Sequence, residues 1–94
     1  MKRYAVFYPT TLAPYDVYIR TSEPLPFDVW RDLVMLGIPG RGNEEVLRCI
    51  YASKSPELLQ YCYTSAIQLT STENILREAG FVKTQAGRLD GLAR

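Results

Sequence analysis

The side chains that most often perform acid–base and nucleophilic chemistry are thinly represented in this sequence. Its 94 residues include no histidine, the side chain that titrates near neutral pH and is the commonest general base and a frequent metal ligand. Without histidine, the Ser-His-Asp triad and the Cys-His pair are both excluded. We therefore expect a protein that is not an enzyme, with no catalytic residue, no cofactor and no metal site.

Carboxylate pairs remain as a possible basis for catalysis, because the sequence contains 10 acidic residues. Most of them fall in the first turns of predicted helices or on predicted polar faces of strands and helices. A carboxylate in the first turn of a helix is stabilised by the helix dipole. We interpret these acids as structural.

The two cysteines, Cys49 and Cys62, are too far apart in sequence for a zinc knuckle or a CxxC redox pair. No histidine is present to activate either thiol. Cys62 falls on the apolar stripe of a predicted helix, where a free cysteine behaves as a small hydrophobic residue. We expect both thiols to be buried and inert, in the reducing setting of the cytoplasm.

A glycine-rich segment from Gly40 to Asn43 could form a small backbone nest in which amides and the Arg41 guanidinium receive an anion. The segment lacks the full GxGxxG spacing and the lysine of a P-loop. A plain tight loop that presents Arg41 at the surface is the better interpretation.

Aromatic residues are abundant, with seven tyrosines, three phenylalanines and Trp30. Two thin strands and one helix cannot bury all of the tyrosines, so some of them must lie near the surface. Exposed tyrosine is enriched in protein interfaces and also stacks on single-stranded bases. Alternatively, tyrosine simply covers the sheet with its hydroxyl in water. Both interpretations remain open.

The elements that position these residues begin with two alternating segments, Lys2 to Tyr8 and Asp16 to Arg20, which predict an antiparallel pair of strands. A helix should follow, because Pro26 suits its first turn and Gly37 its C-terminal cap. Trp30 lies on the apolar stripe of this helix, so we predict that its side chain belongs to the core.

The middle of the sequence is harder to interpret. Val46 to Ala52 fits either a helix capped by Asn43 or a buried strand, and its content of valine, isoleucine, cysteine and tyrosine favours the strand. Two helices are predicted next. The first begins near Ser55 and carries an apolar stripe to Leu69, and the second begins near Ser71 and ends at Gly80.

These elements predict a single α+β domain over residues 1–84, with a small antiparallel sheet of three or four strands and two or three helices packed mainly on one face. Residues 85–94 combine two glycines, two arginines and an aspartate with only two leucines. We interpret this segment as a mobile C-terminal tail.

Net charge is balanced at +1, whereas a nucleic-acid-binding domain usually concentrates positive charge. No apolar stretch approaches the roughly 18 to 20 residues that cross a bilayer, so no membrane partner is expected. The sequence favours a small non-enzymatic module that binds or regulates a partner protein, or self-associates, through Tyr4, Tyr15, Tyr18 and Arg41. The alternative is a nucleic-acid-binding accessory protein that uses surface tyrosines and scattered basic residues.

Overall fold

The computed structural model describes residues 1–8, 16–37 and 43–88, except for the side chains of residues 16 and 85–88. It contains four strands and three α-helices, and a short 3-10 turn lies on each side of the third strand. In chain order the elements are β1 (Arg3–Tyr8), β2 (Asp16–Thr21), α1 (Phe27–Leu36), α2 (Glu44–Ser53), β3 (Tyr61–Ser65), α3 (Leu69–Glu78) and β4 (Val82–Arg88). This is a small α+β domain, as the sequence predicts.

The four strands form one mixed sheet in the order β3-β2-β1-β4. β2 is antiparallel to both β1 and β3, which confirms the predicted antiparallel pair. β4 departs from the prediction because it lies parallel to β1. A helix-containing connection, here α3, allows two strands to run in the same direction, and it carries the chain from β3 at one edge to β4 at the other.

The core lies between one face of the sheet, which we call the inner face, and the helices. Strand residues alternate between the two faces, and Tyr4, Val6, Val17 and Ile19 on the inner face are each at most 1% exposed. The remaining buried apolar residues are Leu25, Trp30, Leu47, Leu59, Leu76 and Phe81. Burying each large apolar side chain contributes roughly 1.5–3 kcal/mol, so this layer is the main source of stability.

Helix α1 confirms the sequence prediction, including the place of Trp30 in the core. The Trp30 side chain is 8% exposed. Its ring centroid lies 6.1 Å from that of Phe27 and 5.5 Å from that of Tyr51. Tyr51 belongs to α2, so these aromatic contacts join the two helices.

The prediction of a strand from Val46 to Ala52 is wrong, because this segment belongs to α2. Asn43 caps the helix, since its Oδ1 accepts hydrogen bonds of 2.9 and 3.3 Å from the backbone N–H groups of Glu45 and Val46. Leu47 is the one buried residue of the helix. The apolar residues of this segment therefore do not share the two-sided burial that a central strand requires.

The predicted helix from Ser55 to Leu69 is also wrong. The chain makes a 3-10 turn at Leu58–Gln60, then forms β3, and a second 3-10 turn leads into α3. The backbone N–H of Leu25 donates a 3.0 Å hydrogen bond to the carbonyl of Leu59, which ties the start of this segment to the chain before α1. The predicted helical stripe is broken, because Leu58 is 59% exposed.

Helix α3 confirms the predicted helix before Gly80, although it begins slightly earlier, at Leu69. Gly80 has a φ of 94°, in the left-handed region that glycine adopts readily. The backbone N–H of Phe81 donates to the carbonyl of Leu76 at 3.0 Å, which turns the chain back towards the sheet. β4 then continues through residues 85–88, which the sequence assigned to a mobile tail, because their backbone pairs with β1. Residues 89–94 lie outside the described part of the chain.

Candidate functional site

The face of the sheet opposite the core carries a concentration of aromatic and basic side chains, which we call the tyrosine face. It presents Arg3, Ala5, Phe7, Tyr18, Arg20, Tyr61 and Tyr63. Alternation along each strand places these residues opposite the buried ones. Arg3 and Arg20 are exposed and Tyr63 is 68% exposed, so the described helices leave this face open to solvent.

Two cross-strand rows organise the tyrosine face. In the first, Phe7 of β1 pairs with Tyr18 of β2, which pairs with Tyr63 of β3. In the second, Ala5, Arg20 and Tyr61 occupy the corresponding positions. Side chains directly opposite each other on antiparallel strands lie within contact distance, so the sheet register assembles the rows.

The tyrosine rings contact one another in fixed geometries. The Tyr18 and Tyr63 ring centroids are 4.7 Å apart with an interplanar angle of 82°, and those of Tyr18 and Tyr61 are 5.5 Å apart at 48°. The Arg20 guanidinium carbon lies 5.8 Å from the Tyr61 ring centroid. An aromatic pair of this kind contributes about 0.5–1.5 kcal/mol beyond area burial. The rings are therefore held in place before any ligand arrives.

The guanidinium groups of Arg3 and Arg20 make no ion pair with any described side chain, whereas Arg31, Arg48 and Arg77 each pair with an acidic residue. A guanidinium presents five N–H donors in a planar fork, which suits carboxylate and carbonyl acceptors. A shallow depression of about 360 Å³ between β1, β2 and β4 includes both Arg3 and Arg20. The tyrosine face therefore offers hydrogen-bond donors beside aromatic surface.

Tyr18 contacts both Tyr61 and Tyr63, and it is half-buried. Burial raises the pKa of its phenol, and the neighbouring Tyr63 and Tyr61 raise it further. The hydroxyl therefore remains protonated at neutral pH and can serve as a donor or an acceptor of hydrogen bonds.

A second surface feature lies at the β3 edge of the sheet, and we call it the edge groove. Its volume is about 410 Å³. It is lined by α1 (Trp30, Leu33), α2 (Leu47, Ile50), Lys54 immediately after α2, and three consecutive residues of β3, Tyr61–Tyr63. Ile50 is 43% exposed, so the groove opens to solvent on the α2 side.

Two of the predicted surface residues lie in the described part of the chain, and they point in opposite directions. Tyr18 is on the tyrosine face, but Tyr4 is 1% exposed and belongs to the core. The prediction that Tyr4 lies at the surface is wrong, because residues 4 and 6 of β1 share the inner face. Tyr15 and Arg41 lie outside the described residues.

The buried Tyr4 hydroxyl is part of a polar cluster centred on Glu73. Lys83 Nζ lies 3.1 Å from Glu73 Oε1, and the more distant Arg77 guanidinium lies at 3.7 Å. Burial opposes ionisation of Glu73, but hydrogen bonds from Tyr4 and Lys83, with the charges of Lys83 and Arg77, lower its pKa below the usual value. Burial and the bond to Glu73 raise the pKa of Tyr4 to about 12. The cluster joins β1, α3 and β4 within the structure.

The thiols differ from each other, contrary to the expectation that both are buried. Cys49 is exposed on α2, and Cys62 is half-buried on the inner face of β3. Burial raises the pKa of the Cys62 thiol to about 12. Cys62 is therefore a poor nucleophile at neutral pH.

The binding residues predicted from the sequence did not include Phe7, Arg20, Tyr61 or Tyr63. The signal for the last two was the alternation in the segment Tyr-Cys-Tyr-Thr-Ser, which is typical of a strand with one aromatic face. The predicted helix over this segment concealed that alternation, because a helical stripe groups Cys62 with different neighbours.

No protein-family model, curated protein or solved structure matches this chain. Within the described residues, no helix is both long enough and apolar enough to cross a membrane. Two surface features remain as a basis for a function: an open sheet face with aromatic rings and two arginines without ion-pair partners among the described side chains, and an apolar groove at the sheet edge.

Proposed function

We propose that this protein is a non-enzymatic docking or regulatory module that binds a partner protein through the tyrosine face. The observation that carries the proposal is the assembly of four aromatic side chains and two arginines without ion-pair partners among the described residues, all on one open sheet face. Tyrosine and arginine are among the residues most enriched at the energetic centres of protein interfaces.

The mutual packing of the rings supports the proposal on energetic grounds. Binding is weakened when side chains must be ordered at the interface, at about 0.5–1.5 kcal/mol for each flexible side chain. Tyr18 contacts both Tyr61 and Tyr63, so these rings lose little further freedom when a partner covers them. The tyrosine face is in this sense preorganised for a contact.

Single-stranded nucleic acid is the second candidate, favoured by the row of aromatic residues across three strands and by the nearby Arg20. Bases stack on ring faces, and arginine assists through charge. The near-perpendicular Tyr18 and Tyr63 rings cannot both lie flat along a strand of stacked bases. The net charge of +1 also supplies little general attraction for phosphate. We therefore place nucleic acid second.

Affinity capture from extracts of the source cells, with purified wild-type protein and face variants as bait, tests the proposal. Tyr63→Ser and Arg3→Gln alter exposed residues of the tyrosine face. Ile67→Ser is the matched control, because Ile67 is 91% exposed and lies off this face. We expect a partner protein that wild type and the control retain and both face variants lose. A partner set that is identical for all baits contradicts the proposal, and nuclease-sensitive capture supports the second candidate.

We also propose that the protein works in a reducing compartment such as the cytoplasm. Cys49 and Cys62 are both free thiols, and Cys49 is exposed. An exposed thiol is prone to oxidation and mixed-disulfide formation outside a reducing environment.

A further inference from the structure

We propose that the edge groove binds an extended peptide segment, which pairs with β3 as an additional strand and inserts a bulky apolar side chain between α1 and α2. An acidic residue of the same segment would lie near Lys54. This inference rests on the proposed function, because it gives the chemical class of the segment that a partner protein presents.

The backbone of β3 is available for pairing on one side. β3 is the terminal strand of the sheet and pairs only with β2 among the described strands. Alternate residues of such an edge strand direct their N–H and C=O groups away from the sheet, where a further strand can bond them. Extended peptides bind many domains in this way, with main-chain hydrogen bonds for affinity and pockets for specificity.

The groove itself also favours a paired segment. It reaches Tyr61, Cys62 and Tyr63, whose side chains alternate between the two faces, so it follows the strand edge itself. A peptide strand lies about 4.8 Å from its neighbour and directs every second side chain to the inner side of the sheet. There it would meet Trp30 and Leu33, which line the same groove. A volume of about 410 Å³ accommodates a bulky apolar side chain at that position.

Charge favours an acidic segment. Lys54 lines the groove and makes no ion pair with any described residue. On the other side of the sheet, Arg20 packs against Tyr61, which also lines the groove. Lys54 in the groove and Arg20 beside Tyr61 are both cationic, and they favour a segment with a carboxylate. Lys54 is partly exposed, so its charge contributes more to selectivity than to affinity.

A peptide fits this edge better than a second copy of the chain. Helix α2 lines the groove through Leu47 and Ile50. Antiparallel pairing of two β3 strands would continue the sheet with both inner faces, and therefore both α2 helices, on the same side of the joined strands. A single extended strand brings no second helix to this side.

Selection of random twelve-residue peptides displayed on phage, with the full chain as the target, tests the inference. We expect the enriched sequences to share a bulky apolar residue and a nearby acidic residue. The synthetic consensus peptide should then bind the purified protein, and binding should slow hydrogen exchange of the β3 amides. Failure to enrich a consensus contradicts the inference.

Variants of two exposed α2 residues locate the binding site of the consensus peptide. Ile50→Glu introduces a charge into the groove and should weaken binding by about tenfold or more. Val46→Glu is the matched control, because Val46 is 53% exposed on the same helix but does not line the groove. Equal affinity of both variants and wild type would contradict the inference.

A charge exchange tests the role of Lys54. Lys54→Glu should weaken binding of the consensus peptide by about threefold to tenfold and should favour a peptide in which the acidic residue is replaced by lysine. If the variant treats both peptides alike, the acidic specificity is wrong. Light scattering measures whether the protein forms a dimer. A wild-type dimer that becomes monomeric in Ile50→Glu would show that a second copy of the chain occupies the groove, and would overturn the peptide proposal.

The two proposals can fail separately. Capture of a partner protein that depends on Arg3 of the tyrosine face but is unaffected by Ile50→Glu would retain the proposed function and refute the groove as a peptide site. If Arg3→Gln and Ile50→Glu both capture the same partner proteins as wild type, both proposals are wrong.

Discussion

The Tyr4 hydroxyl donates a 2.7 Å hydrogen bond to Oε1 of Glu73, a residue 69 positions further along the chain. Both residues are buried, at 1% and 9% exposure, so the bond links β1 to α3 away from water. A buried hydrogen bond to a charged group is stronger than one between neutral groups, and it is costly to break because the remaining partner lies out of water.

Removal of this hydroxyl by Tyr4→Phe should lower the free energy of unfolding by about 1.5–3 kcal/mol at pH 7. The phenyl ring is retained, so the loss reports the hydrogen bond more than the packing. Urea denaturation of both proteins provides the measurement. Tyr8→Phe is the control, because Tyr8 is 43% exposed and should change stability by less than about 0.5 kcal/mol. Equal effects of the two substitutions would contradict the role of the Glu73 contact.

Acid should destabilise the protein partly through Glu73. The pKa of Glu73 in the folded protein lies below its ordinary value of 4.5, so the folded state binds its proton less readily than the unfolded state does. The resulting stabilisation is present above pH 4.5 and is lost as the pH falls through the folded pKa. Thermal midpoints between pH 7 and pH 3 should therefore decline less steeply in Glu73→Gln than in wild type. A similar flattening in Glu78→Gln, an exposed control, would show that the effect is not specific to Glu73.

Replacement of Trp30 by alanine should lower the free energy of unfolding by about 3–5 kcal/mol, because truncation of a large core aromatic leaves a cavity. The Trp30 ring contacts Phe27 and Tyr51, so the link between α1 and α2 should loosen as well. Denaturant unfolding followed by circular dichroism measures the change. Ile67→Ala serves as a surface control, and stability of Trp30→Ala equal to that of the control would exclude a core role.

The two thiols should react with iodoacetamide at very different rates in the native protein. Cys49 is exposed, whereas Cys62 is half-buried with a pKa raised to about 12 by burial, so little thiolate is present at pH 8. Mass spectrometry should detect one rapidly labelled cysteine in the folded protein and two in denaturant. Rapid labelling of Cys62 in the folded state would mean that the edge of the sheet opens readily.

Binding of nucleic acid should be weak and unspecific, because a chain with a net charge of +1 releases few counterions when it meets phosphate. Fluorescence anisotropy with labelled oligothymidine and oligouridine, at several salt concentrations, tests this expectation. Submicromolar affinity at physiological salt with a steep salt dependence would reverse the order of the two candidate functions.

The sequence by itself determined the elements whose signals are local. Alternation marked β1 and β2, Pro26 and Gly37 marked the limits of α1, and Gly80 marked the end of the last helix. These signals depend on backbone geometry over a few residues, such as the left-handed conformation of Gly80 at a φ of 94°. A helix cap and an alternating pattern can both be identified without knowing which distant residues they contact.

Tertiary structure decided the identity of α2 and β3, which sequence reasoning had reversed. Tyrosine and cysteine occur in both segments, and the preference of aromatic and β-branched residues for strands reflects burial and pairing more than the backbone. Residues 61–65 are a strand because β2 lies beside them in register. Residues 44–53 pair with no described strand, and as a helix they bury Leu47 in the core and leave Val46 and Ile50 exposed.

Tertiary structure also decided which tyrosines belong to the candidate site. Alternation places Tyr4 with Val6 on one face of β1, and Tyr18 with Arg20 on one face of β2. It does not show which face of each strand the helices cover. That depends on where α1 and α3 pack, a long-range choice set by the whole core. Because α3 brings Glu73 to Tyr4, one tyrosine became part of the interior, and Tyr18 was left on the open face of the sheet.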